Sequence, residues 1–255
     1  MKKIKGIFLA ILMVLIVTAC SFGQGINPKP NEGPNGGEEQ KPTDTHSTLY
    51  IDGLTVEEVI RYFNEVALNT EYSTGEGNAK LIQKWDEKIT YRFFGDPTEQ
   101  DKTILKQLFD ELNKIQGFPG IYEAEVGKVP TLRIYFQDEG DFIANFGDFI
   151  GYESADGAAQ YWYYNATNVV YEGRIGYRTD ISQEIRNSVL LEEVVNLLGF
   201  GDTVVREDSI VYQYSSEAQE LSKIDWLLLK LMYHPDIKPG MDQDACEQVI
   251  RTLYY

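Results

Sequence analysis

The sequence predicts an α+β domain in which a mixed β-sheet packs against one helix and a second, motif-bearing helix, followed by a helical C-terminal part. Three observations predict it. Runs such as "KITYRFFG" alternate with the period of a half-buried strand, and longer stretches such as "TILKQLFDELNKI" carry an apolar stripe at helical spacing. The two kinds alternate until the last third of the chain, which reads as helical throughout. No internal repeat is visible.

The first residues set the expected location. "MKKIK" is a short basic leader and "GIFLAILMVLIVTA" an apolar run that stops at Cys20, so residues 1–19 read as a signal peptide. The run falls short of the roughly 20 residues of a comfortable membrane span, and "VTAC" has the form of a bacterial lipobox. Cleavage would leave Cys20 as a lipidated first residue, making the chain an exported, membrane-anchored lipoprotein on the extracytoplasmic side. An uncleaved anchor helix is the alternative. Residues 20–48 are rich in Pro, Gly, Asn and acids and read as a flexible tether, which also holds His46. Leu49 to Tyr255 suffices for a single domain. A formal charge of −17 with no basic cluster excludes nucleic acid and makes anionic headgroups poor partners. The membrane partner is expected through Cys20 alone.

Within the domain, Thr55 and Glu58 form a capping box for a first helix, with Val56, Ile60, Phe63, Val66 and Ala67 on one face. The strand of Ile89, Tyr91 and Phe93 follows. The next helix has Asp96 as its expected N-cap, Pro97 in its first turn, and an apolar stripe through Ile104, Leu108, Leu112 and Ile115. "PTLRIYF" is a second strand. From Asp138 to Gly157 the acidic, glycine-rich and aromatic segment reads as irregular. "AQYWYYNATNVVYEGRIGY" supplies two strands, turning at Asn165 to Asn168 or near Gly173. Its run Tyr161, Trp162, Tyr163, Tyr164 is either an exposed stacking platform or, as aromatics in strands usually are, packed on one face. Asp180 or Ser182 caps the next helix and Gly199 ends it. Ser222 and Asp225 cap another, stopped by Pro235, and "MDQDACEQVIRTLY" is the final amphipathic helix. Cys246 recurs there with Val249, Ile250 and Leu253, so it reads as a buried thiol.

The helix "LLEEVVNLLGFGD" carries the candidate chemistry. In the zinc-protease pattern H-E-x-x-H, two residues four apart share a helix face and bind Zn²⁺ while the intervening Glu polarises water. Laid on the metzincin version of that pattern, Glu192 and Asn196 stand at the helix ligands, Glu193 at the general base, Gly199 at the turn and Asp202 at the third ligand. "EDSIVYQY" resembles the serine-containing turn of metzincins, with Val211 in the methionine's place, and "LSKIDWLLLKLMY" resembles the final zincin helix. Together with "LSKIDWLLLKLMYHPDIKPGM", the motif helix resembles a bacterial family of exported domains of unknown function (domain of unknown function 2927) related to zincins. That resemblance runs from Trp85 to Arg251 and is specific from Arg186 onward. It implies a zincin-like fold whose zinc histidines are gone.

Zinc favours imidazole or thiolate ligands, and the chain has only His46 and His234, so a three-histidine site is excluded. Glu192, Asn196 and Asp202 are candidate oxygen ligands for a hard divalent ion, and otherwise no cofactor is expected. His234 is expected to interact with a helix C-terminus. Glu192 and Glu193 point about 100° apart on a helix, which does not make the facing carboxylate pair of a glycosidase. Two functions remain. One is a non-catalytic module binding a peptide, protein or envelope polymer in the old substrate cleft; the other is a peptidase-like hydrolase with Glu193 as general base and an oxygen-ligated metal.

Overall fold

The structure is a computed structural model that describes residues 49–69, 80–150, 155–214 and 217–254. The expected signal peptide (1–19), Cys20 and tether (20–48) lie outside the described residues.

The first helix, α1 (Val56–Leu68), opens with the capping box the sequence predicts: Thr55 accepts from the Glu58 N–H, and Glu58 accepts from the Thr55 N–H at 2.8 Å. The strands are β1 (Lys84–Trp85), β2 (Ile89–Gly95), β3 (Ile121–Glu123), β4 (Leu132–Gln137), β5 (Gly157–Tyr163) and β6 (Val169–Arg178). Strands β3, β2, β4 and β6 lie side by side and parallel, with Tyr91 opposite Leu132 and Leu132 opposite Gly173. Parallel neighbours need crossovers, and α2 (Glu99–Leu112) supplies the one between β2 and β3. Strand β5 then runs antiparallel along the far side of β6, Gly157 opposite Tyr177. Val170 pairs with both Tyr163 of β5 and Trp85 of β1. Since a strand has two edges, β1 must share the β4 edge of β6, end to end with β4.

Alternation along β4 and β6 sends Leu132, Ile134, Phe136, Ile175 and Tyr177 to one buried face. There α2 packs through Phe109 on Tyr91, ring centroids 4.8 Å apart. Helix α4 (Gln183–Leu197) packs beside it, where the Tyr177 hydroxyl donates to the Leu190 carbonyl at 2.9 Å. On the opposite face lies α3 (Glu139–Ile150), whose Phe142 and Phe146 fill the gap left by Gly176; a Cβ there would come within 2.4 Å of the Phe146 ring. Helices α5 (Lys223–Met232) and α6 (Gln243–Leu253) complete the order. Helix α6 returns to α1: Asn64 donates to Glu247 at 2.9 Å, Arg251 pairs with Glu57, and the Tyr254 hydroxyl sits 3.0 and 2.9 Å from the Ile51 and Leu54 carbonyls. Cys246 is fully buried there, and burial pushes its thiol up to about 12.

The structure corrects several expectations. The irregular stretch predicted from Asp138 to Gly157 contains α3, because Phe142 and Phe146 lie one turn apart on a face that the sheet buries. Helix α2 is capped by Thr98 rather than Asp96, because Asp101 sits three residues beyond Thr98 and completes the reciprocal box. The paired strands turn at 164–168, not near Gly173, with Asn168 left-handed. Strands β1 and β3 are additional elements. The aromatic run is packed rather than displayed: Tyr161, Trp162 and Tyr163 are half-buried, and the exposed Tyr164 stacks on Tyr171. His234 directly follows the C-cap of α5, as expected, and there it accepts from the Asp236 N–H at 3.2 Å through Nδ1, with its pKa lowered chiefly by burial.

Candidate functional site

Helix α4 is the centre of the site. Ser182 caps it by accepting from the Ile185 N–H, and Gly199 ends it at φ 107°, where a Cβ would lie 2.5 Å from the Gln83 carbonyl. Only glycine fits there. Helix α4 is buried on most of its circumference, so each polar side chain on it needs an account.

One face meets α2. Asp101, fully buried, accepts from Gln183 at 2.7 Å, Arg186 at 3.0 Å and the Thr98 N–H at 2.8 Å. Arg186 also donates to the Thr179 and Ile181 carbonyls and to Gln183. Burial works to raise the Asp101 pKa, but the bonds from Gln183, Arg186 and Thr98 outweigh it and hold the carboxyl below its usual range. This cluster joins two helices.

A second face meets the sheet through glycines. A Cβ on Gly157 of β5 would come 2.4 Å from Val189 and 3.1 Å from Glu193 Oε1, and one on Gly173 would come 2.6 Å from Leu197. Glu193, 8% exposed, is thereby placed against the start of the edge strand. Its charge is felt by Tyr177, whose phenol is raised well above the usual range, first by burial and then by Glu193 and Asp101.

A third face carries Ser188, Glu192 and Asn196, spaced four residues apart in one stripe. Ser188 is fully buried and Glu192 is 7% exposed. The Ser188 hydroxyl and the Asn196 Oδ1 are shielded from solvent and have no hydrogen-bond partner. Sequence reasoning found Glu192 and Asn196 and missed Ser188, although stepping back one helical turn from Glu192 reaches it.

Beyond Gly199 the chain is fastened to α1. Gly201 donates to the Val66 carbonyl at 2.7 Å, while Thr203 and the Val204 N–H each donate to Glu65 at 2.8 Å. Burial raises the Glu65 pKa against those two bonds. Asp202 lies between these anchors and is exposed, unlike Glu192. The helix thus brings Glu192 and Asn196 onto one face, turns Glu193 toward the sheet, and leaves Asp202 on the surface. Among the described residues no three His, Cys, Asp or Glu side chains form a group able to hold a metal. Zinc does not suit this donor set: the one histidine among the described residues, His234, is spent on its own turn.

The serine turn has a clear role. Ser209 donates to Asp225 at 2.6 Å, the Ile210 N–H donates to the same carboxylate, and Val211 is buried beneath. Asp225 also caps α5 with Ser222. At the far end of β5, Lys80 Nζ lies 3.3 Å from the Gly199 carbonyl and 3.5 Å from the Tyr161 hydroxyl, which donates to Gln83 at 3.0 Å. Burial lowers the Lys80 pKa to about 8. The sequence reading did not mark Lys80, because nothing near it in the chain announces a partner at residue 199. Two surface hollows, of about 230 and 300 Å³, lie elsewhere, between α2 and β3 and along α6.

A family model described as "Protein of unknown function (DUF2927)" matches residues 56–252, from the first residue of α1 into the last turn of α6. The chain belongs to this family. Comparison with curated proteins finds no match. The DUF2927 match takes in α4, its glycine turn, the Ser209 turn and α5.

Proposed function

We propose that this is an exported bacterial lipoprotein, anchored through Cys20 and tethered by residues 20–48. We further propose that its domain is zincin-like, in the metzincin manner, without zinc protease activity, and binds an extended peptide, protein segment or envelope polymer along β5. The observation that carries the binding reading is the position of β5. It is the antiparallel edge of the sheet, and among the described residues no further strand pairs with it. Edge strands accept extended chains by adding main-chain hydrogen bonds, and Glu193 lies against the first residue of this one. The zincin-like reading is supported by Glu193 in the general-base place, the left-handed Gly199 turn and the Ser209 turn held by Asp225.

The test uses the full chain in detergent micelles and fluorescein-labelled extended hexapeptides, with binding read as anisotropy. Methylating alternate backbone nitrogens on the strand-facing side should abolish binding, and methylating the others should not; equal binding by both sets would end the edge-strand reading. Acyl labelling in a bacterial host should disappear on Cys20→Ala. A second reading, hydrolysis with Glu193 as base and an oxygen-ligated metal, is favoured by the burial of Glu193 beside the same strand. Chelator-sensitive cleavage of the same peptides, lost on Glu193→Gln, would establish it and displace the binding-only reading.

A further inference from the structure

We infer that the face of the sheet that carries α3 binds a carboxylated polysaccharide through Arg92, Arg133 and Arg174. Binding there does not depend on a chain along β5. Strand pairing sets Arg92 of β2 opposite Arg133 of β4, and Arg133 opposite Arg174 of β6. The adjacent Tyr91, Leu132, Ile134 and Ile175 are buried in the core, so alternation turns all three arginines to the other face. Neighbouring strands lie about 4.8 Å apart, and like charges directly opposite one another destabilise a sheet. Burial lowers the Arg174 pKa, and the charge of Arg133 lowers it further. The compensation is thin. Arg133 pairs with Glu172, Arg92 donates to the Glu125 carbonyl at 2.8 Å, and Arg174 donates to Gln160 at 2.8 Å. Each contact engages one nitrogen of a side chain that has five N–H donors. Among the described residues no carboxylate pairs with Arg92 or Arg174, whereas Arg178, Arg186, Arg206 and Arg251 each meet an aspartate or glutamate. In a chain of 40 acids against 23 lysines and arginines, folding has assembled a row of local positive charge from three separate strands.

The surroundings of the row select its ligand. A guanidinium is shaped to take a carboxylate through paired N–H bonds. At the row β4 and β6 are paired on both sides, so their main chain has no bonds to give an extended peptide, and a ligand crossing them meets side chains alone. Aromatic rings share this face one residue pair away. Trp162, opposite Glu172, has its ring 5.7 Å from the Arg174 guanidinium. Tyr122, opposite Thr90, is 49% exposed, and Lys88 stands over its ring at 4.9 Å. Such rings offer apolar surface beside a polar edge. A pyranose ring brings a C–H face to stack there and a uronate brings a carboxylate to the guanidinium, whereas a phosphodiester chain without rings brings only charge. Helix α3 bounds the row on its other side, with the Phe146 ring 4.6 Å from the Arg174 guanidinium. The overall charge of −17 repels such a ligand at long range, but salt screens that repulsion beyond about 8 Å and leaves the close contacts to decide.

The probe is fluorescein-labelled hexagalacturonate, titrated into the full chain in detergent micelles and read as anisotropy. It should bind, and its full methyl ester, which keeps the rings and loses the charges, should not. Arg92→Gln and Arg133→Gln should each weaken binding by about tenfold, the effect of one charge-assisted hydrogen bond. Arg251→Gln removes the same charge from α6 and should leave the affinity unchanged. Thermal unfolding checks that the variants fold. Arg133→Gln strands Glu172, but Arg92→Gln gives up only a bond to a carbonyl and decides the matter if Arg133→Gln does not fold. Absence of binding, equal binding of the methyl ester, or an equal loss on Arg251→Gln overturns the site. Hexaglutamate binding as tightly as hexagalacturonate overturns it too, because any carboxylate chain would then serve.

Discussion

Two of the faces of helix α4 treat their buried polar side chains in opposite ways. Toward α2, Asp101, Gln183 and Arg186 form a closed network in which carboxylate and guanidinium both find several partners. Away from α2, the Ser188 hydroxyl and the Asn196 Oδ1 are shielded and have no hydrogen-bond partner. The first face is built to hold the domain together. The second leaves two shielded oxygens unbonded and gives up stability there.

The largest test breaks the satisfied face. Arg186→Ala leaves Asp101 buried without its cation, and a loss of about 3–5 kcal/mol in urea unfolding is expected; a loss below 1 kcal/mol would show that the network is not what joins α2 to α4. The same pair sets an acid limb. The folded pKa of Asp101 is depressed, so its contribution is present above the unfolded value of about 3.9 and disappears as pH falls through the folded value. Melting temperature should therefore fall more steeply below pH 4 in the parent than in Asp101→Asn.

Next in size is the seam between α4 and β5. Gly157→Val places carbon atoms where Val189 and Glu193 already sit, and an overpacking cost of about 1–3 kcal/mol is expected, together with loss of peptide binding. Unchanged stability would mean that α4 does not bear on that strand. The unsatisfied face predicts the opposite sign: Ser188→Ala and Asn196→Leu remove stranded acceptors and should leave stability unchanged or raise it by about 1 kcal/mol. A loss above 1 kcal/mol in either variant would mean that the two faces are alike after all.

The smallest effect concerns the buried lysines. Lys80 and Lys84 both have pKa values lowered by burial to about 8, below the roughly 10.4 of an unfolded lysine. Folding therefore favours the neutral amines, and stability should rise gently from pH 8 upward. The gain ends near pH 10, where Tyr177 and Tyr233, raised by burial, resist the ionisation available to unfolded tyrosines. A melting temperature that falls steadily between pH 8 and 9.5 would contradict this.

The elements that sequence made legible are those whose signals are local. Thr55 with Glu58 and Ser222 with Asp225 are capping pairs readable three residues apart, and the structure forms both. Helix α3 was hidden because its apolar face is short, Gly140 and Gly147 interrupt it, and the space its phenylalanines fill is made by Gly176 on another strand. Strands β1 and β3, of two and three residues, are too short to show a period. In the site, the shared face of Glu192 and Asn196 follows from helix geometry alone. The exposure of Asp202 does not, because Glu65 and Val66, more than a hundred positions away, steer that loop.

The seam between α1 and α6 bears on the order in which the domain can be assembled. Its bonds join residues 183 to 203 positions apart, and β1 likewise waits for Val169 and Val170. A chain emerging from its N-terminus would hold α1 with its apolar face unmatched until α6 had been made. Such long-range closure slows folding and prolongs exposure of unpaired surface. Truncation anywhere before Tyr254 should therefore not leave a smaller folded core, but a chain that has yet to close.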